Sequence, residues 1–148
     1  MIYVDSSVLL ADLFAEPRSP PERLWDDDLG SSQLLAYEVW NRIHAFGLVH
    51  SHGARARGLL ARVTLTAMSE AALARALEPF PVPVRTLDAL HLATMDFIRE
   101  SGEPVQLASY DNRLIAAAAT RMRSRRRSRP WPNARSAVSS SVRPPISR

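Results

Sequence analysis

Two carboxylates in this chain share one setting. In "MIYVDSSVLLADL" Asp5 closes an apolar run and opens an amphipathic one, and "VQLASYDNRLIAAA" repeats that order around Asp111. An acid between a strand and a helix can cap the helix by accepting hydrogen bonds from its first free N–H groups. It can also serve as a metal ligand or nucleophile at the carboxyl end of a parallel strand, where open α/β sheets place their ligands. Two further acids stand close to helix starts, Glu38 in "LLAYEVWNRI" and Asp88 in "RTLDALHLATM". Right-handed crossovers bring such strand ends to one edge, so four acids at element starts can converge there. Each also has a plain structural role: Asp5 and Asp111 as N-caps, Asp88 as a complement to a helix dipole, Glu38 paired with Arg42 one turn on.

The elements that must position these acids are legible as hydrophobic patterning. "IYV" reads as a short buried strand, and Val8, Leu9, Ala11, Leu13 and Phe14 give the next helix its apolar face. "SPPERLWDDDLG" reads as a short helix with Gly30 after its end, and "SSQLL" as a second strand. Leu35, Val39, Ile43 and Phe46 recur at helical spacing through "AYEVWNRIHAFGLVH"; a helix over about 53–62 precedes a third strand, "VTLTAM". Ser69 caps "SEAALARALEP", and "PFPVPVR" must be an extended connector because alternate prolines forbid helix. "TLDALHLATMDFIRESG" is the clearest helix, with Thr86 as cap, a stripe of Leu87, Leu90, Thr94, Phe97 and Ile98, and Gly102 as stop. "VQLAS" is a fourth strand, and a last helix starts near Asp111. Strands alternating with helices imply an α/β fold with a mostly parallel sheet covered on both faces.

Composition narrows the chemistry. The 148 residues are one domain's worth and contain no cysteine, which excludes disulfides and thiolate metal sites. Every one of the 19 basic residues is arginine. Without lysine there is no Walker A phosphate loop and no Schiff-base amine, so phosphate must be handled by arginine, metal or backbone. No secretory pattern and no membrane-length apolar run is visible, so a cytoplasmic location is the expectation. Charge divides sharply along the chain: residues 1–120 hold 10 Arg against 15 Asp and Glu, a net of −5, whereas residues 121–148 hold 9 Arg and no acid.

The stretches "YVDSSVLLADL", "LLAYEVWNRI", "RTLDALHLATM" and "LASYDNRLIAAA" resemble the PIN-domain nucleases, particularly the VapC toxins of bacterial toxin–antitoxin pairs, over residues 1 to about 120. The resemblance implies a PIN-like three-layer sandwich and a metal-dependent endoribonuclease. By position, Asp5, Glu38, Asp88 and Asp111 are the acids that would hold one or two Mg2+ or Mn2+ ions, with Ser7 and Ser109 as nearby hydroxyls. It further implies an RNA substrate of the tRNA or rRNA class, a cognate antitoxin and a homodimer. Such chemistry suits these residue types: Mg2+ takes oxygen ligands, reverses the sign of an acidic pocket, and activates water or stabilises a leaving oxygen without a His or Lys base. Arg85, before the third acid, and Arg113, after the fourth, can each reach an RNA phosphate or simply balance surface charge. His91, one turn after Asp88, reads as a packed, hydrogen-bonded residue, with a role as partner or ligand at the site as the alternative.

The sequence also departs from that family. PIN chains of this kind continue into a short fifth edge strand, where this one reads "RMRSRRRSRPW", so a sheet of about four strands is expected. Residues 121–148 read as a disordered Arg/Ser/Pro-rich tail, either an RNA-binding segment sensitive to salt or the product of an altered reading frame. A haloacid-dehalogenase-like phosphatase also opens on a strand ending in Asp, but it needs a second Asp where Ser7 stands. The competing reading of another class is a catalytically inactive PIN-like module that binds RNA or a protein.

Overall fold

The computed structural model describes residues 1–127, with side chains described as far as Arg121. The chain alternates strands and helices: β1 (Ile2–Val4), α1 (Ser6–Leu13), a 3-10 turn (Glu22–Asp26), β2 (Leu29–Ser32), α2 (Leu34–Ala45), α3 (Val49–Leu60), β3 (Thr64–Thr66), α4 (Glu70–Leu77), α5 (Thr86–Glu100), β4 (Gln106–Ala108) and α6 (Asn112–Arg127). Four strands form one sheet in the order β3-β2-β1-β4, and every pairing is parallel. This is the expected α/β sandwich, with four strands among the described residues.

The three layers follow from the two-residue period of a strand, which sends neighbouring side chains to opposite faces. In β1, Val4 packs with Leu9, Leu13, Leu35, Val39, Ile43 and Ala56 of α1, α2 and α3. Tyr3 points the other way and packs with Leu92, Met95, Leu114 and Ala117 of α5 and α6. Helix α4 lies against α5. The chain crosses from β1 to β2 on one side and later returns to β4 on the other, so the carboxyl ends of β1 and β4 border a topological switch point.

Local chemistry sets the element ends. Asp5 and Ser69 cap α1 and α4 through side-chain bonds to Ser7 N and Ala72 N. Gly47, at φ +66°, stops α2 before the helical spacing expected through His50 runs out, because few other residues adopt that conformation cheaply. The second strand comes earlier than the pattern indicates. Gly30 lies inside β2, where Met1 packs so closely against it that a Cβ would collide, and Leu34 already belongs to α2. The residue flanking α5 is Arg85, which makes no side-chain cap, instead of Thr86.

Two expectations need correction. The buried face of α5 carries His91, Leu92, Met95 and Asp96 as well as Thr94 and Ile98 of the expected stripe, while Leu87 and Phe97 of that stripe are exposed. This helix is covered by the sheet on one side and α4 on another, so a single apolar stripe does not describe it. Helix α6 runs on to Arg127, past the Thr120 end expected for it. The remainder of the expected tail, from residue 128, lies outside the described residues.

Candidate functional site

Asp5 is fixed from several sides. Its backbone N–H extends the β1–β4 ladder by donating to Ala108 O at 3.0 Å. Its Oδ2 accepts from Ser7 Oγ at 2.6 Å, Ser109 Oγ at 3.0 Å and Ser7 N at 3.3 Å. The same hydroxyls brace the opposite loop: Ser7 Oγ accepts from Tyr110 N at 2.9 Å and Ser109 Oγ from Asp111 N at 3.0 Å. Ser7 and Ser109 thus stitch the turn after β1 to the turn after β4, with Asp5 between them. Capping a helix and facing a crevice prove to be compatible tasks, since Asp5 does both.

Asp111 caps α6 in the same way, its Oδ1 accepting from Arg113 N at 2.8 Å and Leu114 N at 3.4 Å. The Arg113 guanidinium reaches its Oδ2 at 3.3 Å. Glu38, on α2, does not form the surface pair with Arg42 that helical spacing permits. Its Oε2 lies 2.9 Å from Nε2 of His91 on α5, a contact that joins the two helical layers. One ligand atom each from Asp5, Glu38 and His91 lie within 4.8 Å of one another.

A cleft of about 500 Å³ gathers these groups. Asp5, Glu38, Asp88 and Asp111 all line it, together with Ser7, Arg42, Arg85 and Arg113. A larger apolar groove of about 790 Å³ follows α4 and the Pro79–Val84 connector; it meets the acidic cleft at Arg85 and Thr86 but contains none of the four acids. Chemistry, not size, therefore selects the smaller cleft.

The acids do not titrate alike. Burial raises the Asp88 carboxyl above its ordinary range, and the negative charges of Asp111 and Asp5 add to the rise against the backbone of Arg85 and the charge of Arg113. Burial also acts to raise Asp111, but the Arg113 and Leu114 hydrogen bonds and the Arg113 charge outweigh it and hold that carboxyl low. A cation placed among hard oxygen donors whose mutual repulsion is already felt would find both ligands and charge complementarity. The carboxylate oxygens suit a hard divalent cation.

All seven site residues expected from sequence lie in or beside the cleft, but their connections were not readable there. His91, read as a packed residue, is only 1 % exposed and is packed as expected; it also touches Glu38 directly. Tyr3 was read as part of a buried strand, although a buried phenol always needs a polar partner. That requirement is the one sequence signal that could have flagged it.

The PIN domain family matches residues 2–120 of this chain. The chain is 30% identical over 122 residues to a protein of Mycobacterium tuberculosis (strain CDC 1551 / Oshkosh) named Ribonuclease VapC47, covering 78% of this chain and 88% of that one. No solved structure gives a significant match.

Proposed function

This chain belongs to the PIN-domain family, and on that premise we propose that it is a Mg2+- or Mn2+-dependent endoribonuclease, the toxin of a toxin–antitoxin pair. The observation that carries the reading is the convergence of Asp5, Glu38, Asp88 and Asp111, drawn from four separate stretches of sequence, on one cleft. The name of the mycobacterial relative, a ribonuclease, agrees with it.

Asp5, Glu38, Asp88 and Asp111 are the residues that would hold the ion. A divalent ion there supplies charge neutralisation for an approaching phosphate and acidity for a water molecule. The chain's own residues do the rest. Ser7 and Ser109 keep Asp5 oriented, so its carboxylate does not need to reorganise. Arg85, whose backbone hydrogen-bonds the Asp88 carboxyl, also lines the cleft and offers a guanidinium to an RNA phosphate, where its planar fork is well matched. Arg113, held by Asp111, is positioned to do the same. Substrate of the tRNA or rRNA class, a homodimer, a cognate antitoxin and a cytoplasmic setting complete the proposal. Among the described residues no helix is long and apolar enough to cross a membrane.

The test is cleavage of a mixed tRNA and rRNA pool by the full chain with Mg2+ or Mn2+, beside EDTA and Asp5→Asn. Asn still caps a helix, so the variant should melt like the parent while cleavage falls at least about a hundredfold, at or beyond the loss typical of disturbing a ligand's support. A folded protein that binds RNA without metal-dependent cleavage would instead be an inactive binding module.

A further inference from the structure

Behind Glu38 a chain of hydrogen bonds runs into the core. The Ser32 backbone N–H donates to Tyr3 Oη at 3.1 Å, Tyr3 Oη lies 2.9 Å from His91 Nδ1, and His91 Nε2 lies 2.9 Å from Glu38 Oε2. The partners assign the proton positions of a neutral imidazole. An ionised carboxylate can only accept, so Nε2 carries the hydrogen in the His91–Glu38 contact. A neutral imidazole then has a bare Nδ1, which must accept, and Tyr3 supplies that hydrogen while accepting from Ser32. The phenol is suited to this, because its one hydroxyl both donates and accepts. Ser32 Oγ, at 3.5 Å from Nδ1, is a weaker second neighbour.

Tyr3, Ser32 and His91 are all essentially excluded from solvent, and Tyr3 meets the His91 ring edge-on with centroids 5.8 Å apart. The imidazole is therefore held in place and in tautomer. We infer that His91 is a positioning residue: its Nε2–H fixes the Glu38 carboxylate in the cleft, and Tyr3, anchored by the Ser32 backbone, selects the tautomer that allows it. Outer groups of this kind orient carboxylate ligands and tune their affinity for a metal. The inference rests on the metal-site reading above. It differs from the alternative that His91 is itself a ligand, because Nε2, the nitrogen facing Glu38, is the one assigned the hydrogen.

Binding of Mn2+ to the full chain, followed by loss of the free-ion electron paramagnetic resonance signal, separates these ideas without an activity assay. His91→Gln keeps an N–H near the Nε2 position and should bind Mn2+ within about threefold of the parent, whereas His91→Leu should bind about ten- to a hundredfold more weakly. Tyr3→Phe should weaken binding about threefold or more, because Nδ1 loses its donor. Circular dichroism and melting establish that each variant is folded; if His91→Leu is not, His91→Gln and Tyr3→Phe decide. Parent-like affinity in His91→Leu or in Tyr3→Phe would overturn the inference. So would equal weakness of folded His91→Gln and His91→Leu, which would make His91 a direct ligand. An Asp5→Asn control that loses Mn2+ upholds the metal site even where the His91 variants contradict the inference. No binding by the parent would remove both.

Discussion

Helix α5 carries two carboxylates with opposite fates. Asp88 sits in its first turn and faces the cleft; Asp96 lies eight residues on, roughly 12 Å along the axis. Asp96 is almost wholly enclosed, and Arg121 of α6 grips its Oδ2 through Nη2 at 2.7 Å and Nε at 2.8 Å. Arg75 of α4 approaches the same oxygen at 3.4 Å, as an ion pair without hydrogen-bond geometry. Both guanidinium groups also lie over the Phe80 ring, at 4.3 and 5.9 Å from its centroid. Around Asp96 two guanidinium groups converge on one buried carboxylate, with Glu78 also 3.5 Å from Arg75, and the result is a clasp across three helices. Around Asp88 the neighbours are Asp111 and Asp5, with Arg113 largely committed to Asp111. Matched charge makes structure; unmatched charge, held in place by the rest of the fold, leaves work for a cation.

That contrast can be broken by substitution. Asp96→Leu removes a buried carboxylate shared by two partly enclosed guanidinium groups, one of which, Arg75, also pairs with Glu78. The expected loss in urea unfolding is roughly 2–4 kcal/mol, kept at or below the range for fully buried pairs because both arginines retain an edge to solvent. Mn2+ affinity of the folded fraction should be unchanged, and a large drop there would mean that the two ends of α5 are not independent. Arg121→Met leaves Asp96 with Arg75 and should cost less, about 1–2 kcal/mol by the same measurement. An unchanged stability would show that α6 needs no anchor beyond Thr120.

The smallest effects lie within the cleft and have opposite signs. For Asp88 the folded carboxyl titrates above its ordinary 3.8, so the folded chain binds a proton more readily than the unfolded one. Its contribution is full below the ordinary value and is lost as pH rises through the raised value. Asp111 titrates low when folded, so its contribution is present above the ordinary value and is lost as pH falls through the depressed one. Melting temperatures from about pH 3 to 7 should therefore show Asp88→Asn relieving the loss on the higher-pH side of that window and Asp111→Asn removing the loss on the acid side. Mg2+ should reduce the first effect by offsetting the repulsion at Asp88.

Much of this was legible in the sequence, and for definite reasons. The strand-acid-helix order around Asp5 and Asp111 survives because both residues are caps as well as cleft residues, and caps are local. Leu35, Val39 and Ile43 are buried as their spacing requires, since α2 presents one face to the sheet. The stripe expected on α5 holds at Thr94 and Ile98 but not at Leu87 and Phe97, because that helix is enclosed on more than one side. Gly30, expected after a helix end, stands in a strand with the Met1 side chain packed against it, a contact across the sheet that short-range pattern does not report. The last helix is expected to end at Thr120, where composition changes, and composition does not report that Arg121 finds a buried partner 25 residues earlier in the chain.

By itself, then, the sequence determined the alternation of strands and helices, the α/β class, the exclusion of thiol and lysine chemistry, and four acids at the starts of helices. Those features depend on residue type and short spacing. Only the tertiary structure decided which carboxylates meet one another and which meet arginine, that Glu38 turns to His91 instead of Arg42, and that Tyr3 stands behind them. Such choices depend on contacts between residues 53 and 88 positions apart, and short-range pattern carries no information about which distant groups a packed interior will bring within hydrogen-bond reach.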